Sequence, residues 1–150
     1  MALNAAERAA RGALALRAHE RIVYQQEGCV FTITATGGAR APLRSPGVCL
    51  VTNQRLVALG DVQKRSALFD SLDVPLPRLG IGRYRLPLFS AAYYEMEVPL
   101  QVTPDAAPEH ALLVVHFHEG GADAFRHALA RARDEWEQYR RDLEALRTGV

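Results

Sequence analysis

Two cysteines, Cys29 and Cys49, are too few to staple a chain of 150 residues with disulfides. Both fall in apolar, strand-like runs, which reads as two buried thiols in a reducing compartment. No Cys-x-x-Cys pair occurs, so zinc-site spacing is lacking too. No apolar run nears the roughly 20 residues that a membrane-spanning helix needs. The alanine-rich start is broken by Glu7, Arg8, Arg11, Arg17 and Glu20, so it lacks the continuous apolar stretch of a secretory leader. An arginine-rich start also fits a mitochondrial transit peptide, against which Glu7 and Glu20 count. The expected compartment is the cytoplasm or the nucleus. Charge of one sign is missing as well. Lys and Arg total 18 against 17 Asp and Glu, a net charge of +1. Direct nucleic-acid binding, which calls for a basic domain, is not expected.

Apolar residues make up 49% of the chain, enough for one domain with a core of its own. Residues Asn4 to Ala18 favour a helix through their alanines, with Asn4 as N-cap and Glu7 closing a capping box, and Gly12 weakening the middle. From Arg21 the period changes to two. Ile22 to Tyr24 and Cys29 to Thr36 read as two strands joined by a Glu27-Gly28 turn. Cys29, Phe31, Ile33 and Ala35 share the core face of the second. Gly37 to Pro46 reads as an exposed loop. Val48 to Val51 and Leu56 to Leu59 form a hairpin, with Thr52 and Arg55 bracketing its turn. Gly60 to Lys64 is another loop. Ala67 to Leu76, Leu79 to Leu88, Tyr93 to Leu100 and Leu112 to His118 complete the strands.

Gly120-Gly121 ends the last strand, and a helix is predicted from Ala122 to Arg147. Phe125, Leu129, Ala132, Trp136, Tyr139, Leu143 and Leu146 form a stripe at alternating steps of four and three. Such a helix is roughly 40 Å long, longer than a small sheet is wide. Its first half is expected to cover the sheet. Past Trp136 the stripe needs another partner, either the N-terminal segment Ala5 to Leu16 or a second copy in a homodimer. About seven strands followed by one helix, with no βαβ alternation, define an α+β fold built on an antiparallel sheet.

Residues with chemical potential are sparse. His116-x-His118 puts two imidazoles on one strand face, too few for a metal site. Glu95 and Glu97 share a face and read as solvated. Gly80-Ile81-Gly82 is not followed by a helix and so is no phosphate loop. No nucleophile–base pairing is readable, and neither catalysis, a metal nor a cofactor is expected.

Four blocks carry a resemblance. They are the hairpin Gly47 to Leu56 with its Thr-x-x-Arg turn, the strand Ser71 to Leu76, the Pro-x-Phe-small-Ala-x-Tyr element Pro87 to Tyr93, and the Gly-Gly entry to the helix from His118 to Phe125. In this order they resemble the GRAM domain, most closely that of the WW-domain-binding protein 2 family, across Arg21 to Arg133. The resemblance implies a PH-like antiparallel β-sandwich or partly open barrel closed by one long C-terminal helix. It divides the chain into an N-terminal helix or tail (1–20), a GRAM/PH-like domain (21–135) and a helical extension (136–150). It implies a non-catalytic adaptor for protein docking, in transcriptional coactivation or signalling, with a peripheral phosphoinositide-binding module as the alternative. The family's proline-rich tail with Pro-Pro-x-Tyr motifs has no counterpart among these residues, so WW-domain binding is not expected from them. Arg40, Arg44, Lys64 and Arg65 stand in two loops as candidates for weak contact with an anionic membrane. Trp136, Tyr139, Leu143 and Leu146 are the candidate protein-interaction face.

Overall fold

Alternating apolar positions build one continuous sheet. The computed structural model describes residues 2–3, 14–37, 41–61, 69–101, 105, 107 and 109–149. Its strands are β1 (Ala2–Leu3), β2 (Ile22–Ala35), β3 (Leu43–Thr52), β4 (Arg55–Gly60), β5 (Ser71–Pro75), β6 (Gly82–Arg85), β7 (Tyr93–Leu100) and β8 (Glu109–Phe117). Every neighbouring pair is antiparallel, in the order β1-β5-β4-β3-β2-β8-β7-β6. The chain thus runs as a four-strand meander, β2 to β5, and then a three-strand meander, β6 to β8, that returns to pair with β2. The short β1 lies outside β5. The sheet curls into a half-barrel, and α1 (Ala122–Arg147) closes it.

Two expectations about β2 and β3 need correction. β2 is one strand of 14 residues, not two with a turn at Glu27-Gly28. The register against β3 shifts between Gln26 and Cys29, and Gly28 has φ 68°. The extra backbone is absorbed as a bulge, a left-handed conformation that glycine adopts without strain. From Cys29 onward β2 also pairs with β8, so the bulge marks where one strand starts to serve both meanders. β3 begins at Leu43, inside the expected loop, because Ser45 is buried and Pro46 stands one residue past the last β3–β4 pair, Gly47 with Gly60. A missing N–H is tolerated there. β6 is also shorter than expected and stops at Arg85, ahead of Pro87.

The inner face carries Phe31, Ile33, Cys49, Val51, Leu56, Leu72, Val74, Met96, Val98, Leu113, Val115 and Phe117. α1 seals it with Phe125, Leu129 and Ala132, each essentially fully buried. Phe125 sits among Tyr24, Tyr94 and Phe117 at ring-centroid distances of 5.6, 5.3 and 5.2 Å. Gly121, with φ 91°, starts the helix, and Tyr24 donates its hydroxyl to the Gly121 carbonyl at 2.8 Å. The helix spans Ala122 to Arg147 as its periodicity predicts.

The segment before β2 departs from expectation. Residues 4–13 lie outside the described residues. Leu14 to Ala18 are not helical but run along the sheet's outer face, followed by a turn at Ala18–His19. Leu14 packs with Leu50, Val57 and Leu59 in a second small cluster. β4 is therefore covered on both faces, and all six of its residues are buried. Helix propensity loses here because an extended segment covers that apolar strip and delivers Glu20 to a buried partner.

Candidate functional site

That partner is Arg55, which is 1% exposed on the outer side of β4. A charged group so enclosed must be matched by charge and hydrogen bonds. Its Nε and Nη2 donate to both oxygens of Glu20 at 2.7 and 2.9 Å, a two-point fork. Nη1 donates to Asp73 Oδ2 at 2.8 Å, and Nη2 also reaches the Ala15 carbonyl at 3.2 Å. Arg17 donates to the same Asp73 oxygen at 2.8 Å. Thr52 Oγ1 donates to Glu20 at 2.7 Å and accepts the backbone N–H groups of Gln54 and Arg55, both at 3.0 Å. Burial pushes the Glu20 carboxyl up. Hydrogen bonds from Arg55, the Arg17 N–H and Thr52, with the Arg55 charge, outweigh it and hold the carboxyl at about 2. The same acids raise Arg55 above its ordinary value against the opposing effect of burial. The cluster is a structural clamp that fixes the β3–β4 turn against the N-terminal segment.

Arg17, which the clamp holds through Asp73, also lines a groove of about 670 Å³. One wall is the N-terminal segment, Arg17, Ala18, His19 and Arg21. The floor is Asn53, Gln54, Pro75 and Pro77, and the other wall is Glu135, Trp136 and Tyr139 of α1. Local bonds hold these parts in place. Asn53 accepts from the Arg21 N–H at 2.8 Å and donates to the His19 carbonyl at 3.0 Å. Gln54 donates to the Ala18 carbonyl at 2.9 Å. Arg21 reaches Glu135 at 3.2 Å across the groove mouth. Below it, Arg133 donates to the carbonyls of Leu79 and Gly80 at 2.8 and 3.2 Å and ties the β5–β6 crossover to the helix. The groove offers an indole, a phenol and two proline rings beside Arg17, Arg21 and Glu135. It can hold an apolar side chain against rings and a carboxylate against a guanidinium.

No sequence-family profile matches the chain, and no curated protein matches it in sequence. Among solved structures, the N-terminal PH domain of Vps36 aligns with a TM-score of 0.62. The alignment covers 86% of this chain and 90% of that one at 18% identity. The fold is PH-like.

Trp136 is half-buried and Tyr139 is 62% exposed, and both line the groove. Leu143 and Leu146 continue the stripe beyond it into solvent. The alternative in which the stripe packs on an N-terminal helix does not hold for the described part of that segment, which is extended. Arg44 is exposed on β3, opposite Thr32. Arg40, Lys64 and Arg65, expected to join it in contacting an anionic membrane, lie outside the described residues. His116 and His118 stack at 6.1 Å, with His116 also against Tyr93 at 5.1 Å. Burial lowers His116, and the charges of His118 and Arg44 add to that. No cluster of three metal-ligating side chains occurs among the described residues. Glu95 pairs with Arg85 at 3.5 Å, and Glu97 is exposed.

Sequence reasoning missed the clamp. Its signal was there: an arginine at the head of a run as apolar as Leu56-Val57-Ala58-Leu59 calls for buried carboxylates. The two cysteines are free and buried, as read. Burial pushes the Cys29 thiol to about 12 and Cys49 well above its ordinary range. A thiol-specific reagent is expected to leave both untouched in the native protein and to label both after denaturation. Rapid native labelling of either would contradict their placement.

Proposed function

We propose that the protein is a non-catalytic docking module of the GRAM type, whose groove beside α1 takes a segment of a partner protein. The observation that carries this is the groove's construction. Trp136 and Tyr139 face Pro75 and Pro77 over a floor locked by side-chain-to-backbone hydrogen bonds. Pre-set aromatic walls bind a peptide with little ordering cost on the protein's side. The occupant is an extended segment with one large apolar side chain and a nearby carboxylate. Arg17 and Arg21 stand at the rim, paired with Asp73 and Glu135, and an incoming carboxylate would share their guanidinium donors. An adaptor of this kind suits a signalling or coactivation assembly. The PH-like fold adds support by analogy, since it serves as a binding platform.

Panning a random-peptide phage library against the full chain tests the proposal. Enriched peptides are expected to pair an aromatic or leucine with an acid. Trp136→Ala is expected to weaken them by about 2 kcal/mol or more, the scale of an aromatic anchor. Tyr139→Ala, at an exposed position, is expected to weaken binding without changing the melting temperature. No enrichment, or peptides that bind Trp136→Ala equally well, would end this reading. A dimer in light scattering that Trp136→Ala converts to monomer would instead assign the groove to a second copy.

A further inference from the structure

The most exposed large apolar side chains, Phe89, Ile81 and Leu88, do not line the groove. The β6–β7 connection, residues 86–92, carries no charged residue. Leu86, Leu88 and Phe89 there are 73, 86 and 95% exposed. Such values mean that these side chains project away from the protein. The projection is anchored at its root. Arg85 pairs with Tyr93 as the last β6–β7 rung, and the Ala92 carbonyl accepts the Phe117 N–H at 2.9 Å. β6 is also held to the helix, where Arg126 lies 4.7 Å over the Tyr84 ring. That contact is near the start of α1, whereas the groove lies beside residues 135–139, roughly 15 Å further along it. The two surfaces are separate.

We propose that this connection is a membrane-contact tip: Leu86, Leu88 and Phe89 enter the interfacial layer of a lipid bilayer. Three features favour a bilayer. A projecting apolar loop needs a soft apolar medium and no matched pocket. Pro87 removes one backbone N–H from a segment whose polar groups must tolerate a drier environment. The residues behind the tip suit the lipid–water boundary. Arg83 and Arg85 are exposed on β6, and the partly buried Tyr93, paired with Arg85, adds an amphipathic ring beside them. Glu95 neutralises part of the arginine charge at 3.5 Å from Arg85. Apolar insertion therefore supplies most of the attraction, and anionic lipid adds a smaller share. This inference does not rest on the groove.

The experiment uses the full chain with phosphatidylcholine vesicles, with and without phosphatidylserine. The wild type is expected to co-sediment with both, more strongly with the anionic ones. The double variant Leu88→Ser/Phe89→Ser is expected to lose roughly tenfold or more in partitioning, since both side chains are exposed and its melting temperature should not change. A polarity-sensitive dye on Ser90→Cys is expected to shift to the blue on vesicle addition. No pelleting, equal pelleting of wild type and double variant, or an unshifted dye would each overturn the proposal. A dimer that the double variant dissociates, with no vesicle binding, would overturn it in favour of a second copy as the occupant.

Discussion

Arg55→Ala is expected to destabilise the protein by about 3–5 kcal/mol, the usual cost of leaving buried acids without their cation. In a chain of this size that lowers the melting temperature by roughly 10 °C or more. Glu20 would keep its burial and lose the fork that holds it ionised, while Asp73 would retain only the exposed Arg17. The dependence on pH is the sharper test. In the wild type Glu20 is depressed from an ordinary 4.5 to about 2. Its stabilisation is complete above pH 4.5 and drains away as the pH falls towards 2. In the variant the downward pull of Arg55 on the Glu20 carboxyl is gone, while burial and the bonds from the Arg17 N–H and Thr52 remain, so the carboxyl rises from its wild-type value and less stability is lost in acid. The stability gap should be widest near neutral pH and narrow in acid. Chemical denaturation at several pH values reads this directly. A gap that stays constant from pH 7 to pH 3 would show that Glu20 does not depend on Arg55. Arg55→Lys should recover part of the loss, because a lysine supplies the charge without the two-point fork.

Phe125→Ala carries a comparable penalty, about 3–5 kcal/mol, from the opposite side of the sheet. The ring is fully enclosed and touches three other aromatic rings, so little can collapse into the space it leaves. Its loss acts first on the helix. Phe125, Leu129 and Ala132 are the contacts by which α1 closes the half-barrel. Weakening the first of them should loosen the N-terminal turns and, through them, the wall that Trp136 presents to the groove. Expected signs are a lower denaturant midpoint, a red shift of the single tryptophan's emission and faster proteolysis within α1. Phe125→Leu should cost less, since it refills most of the volume. A cost below about 1 kcal/mol for the alanine variant would mean that the ring cluster does not hold the helix.

Legibility followed periodicity. β7 and α1 stand where their patterns place them, because alternation from Tyr94 to Leu100 and a stripe at steps of four and three each fit one geometry only. Gly120-Gly121 adds an unambiguous break. Glu27-Gly28 has the same local look as a turn, yet it resolves as a bulge. What decides between the two is whether β3 pairs along the whole strand, and that information lies some twenty residues away. Leu14 to Ala18, expected as part of a helix or a tail, is extended for a related reason. Its alanines and Leu14 suit a helix, but Val57 and Leu59 need cover and Arg55 needs acids. The groove was half visible. Trp136 and Tyr139 stood out on the helical stripe. The facing surface comes from Arg17 to Arg21, the Asn53-Gln54 turn and two prolines, which only the fold brings together. The exposed Leu88 and Phe89 were seen as part of a motif, but a one-dimensional pattern does not reveal that nothing covers them.

The Arg55 clamp also moves the frontier of the smallest piece able to fold alone. A fragment trimmed to start at Arg21 would keep every strand of both meanders. It would strip the cover from Val57 and Leu59 and strand a guanidinium beside a single acid. Such a trimmed version would come out of cells poorly, while one that retains the residues from Leu14 onward would keep both the cover and the clamp.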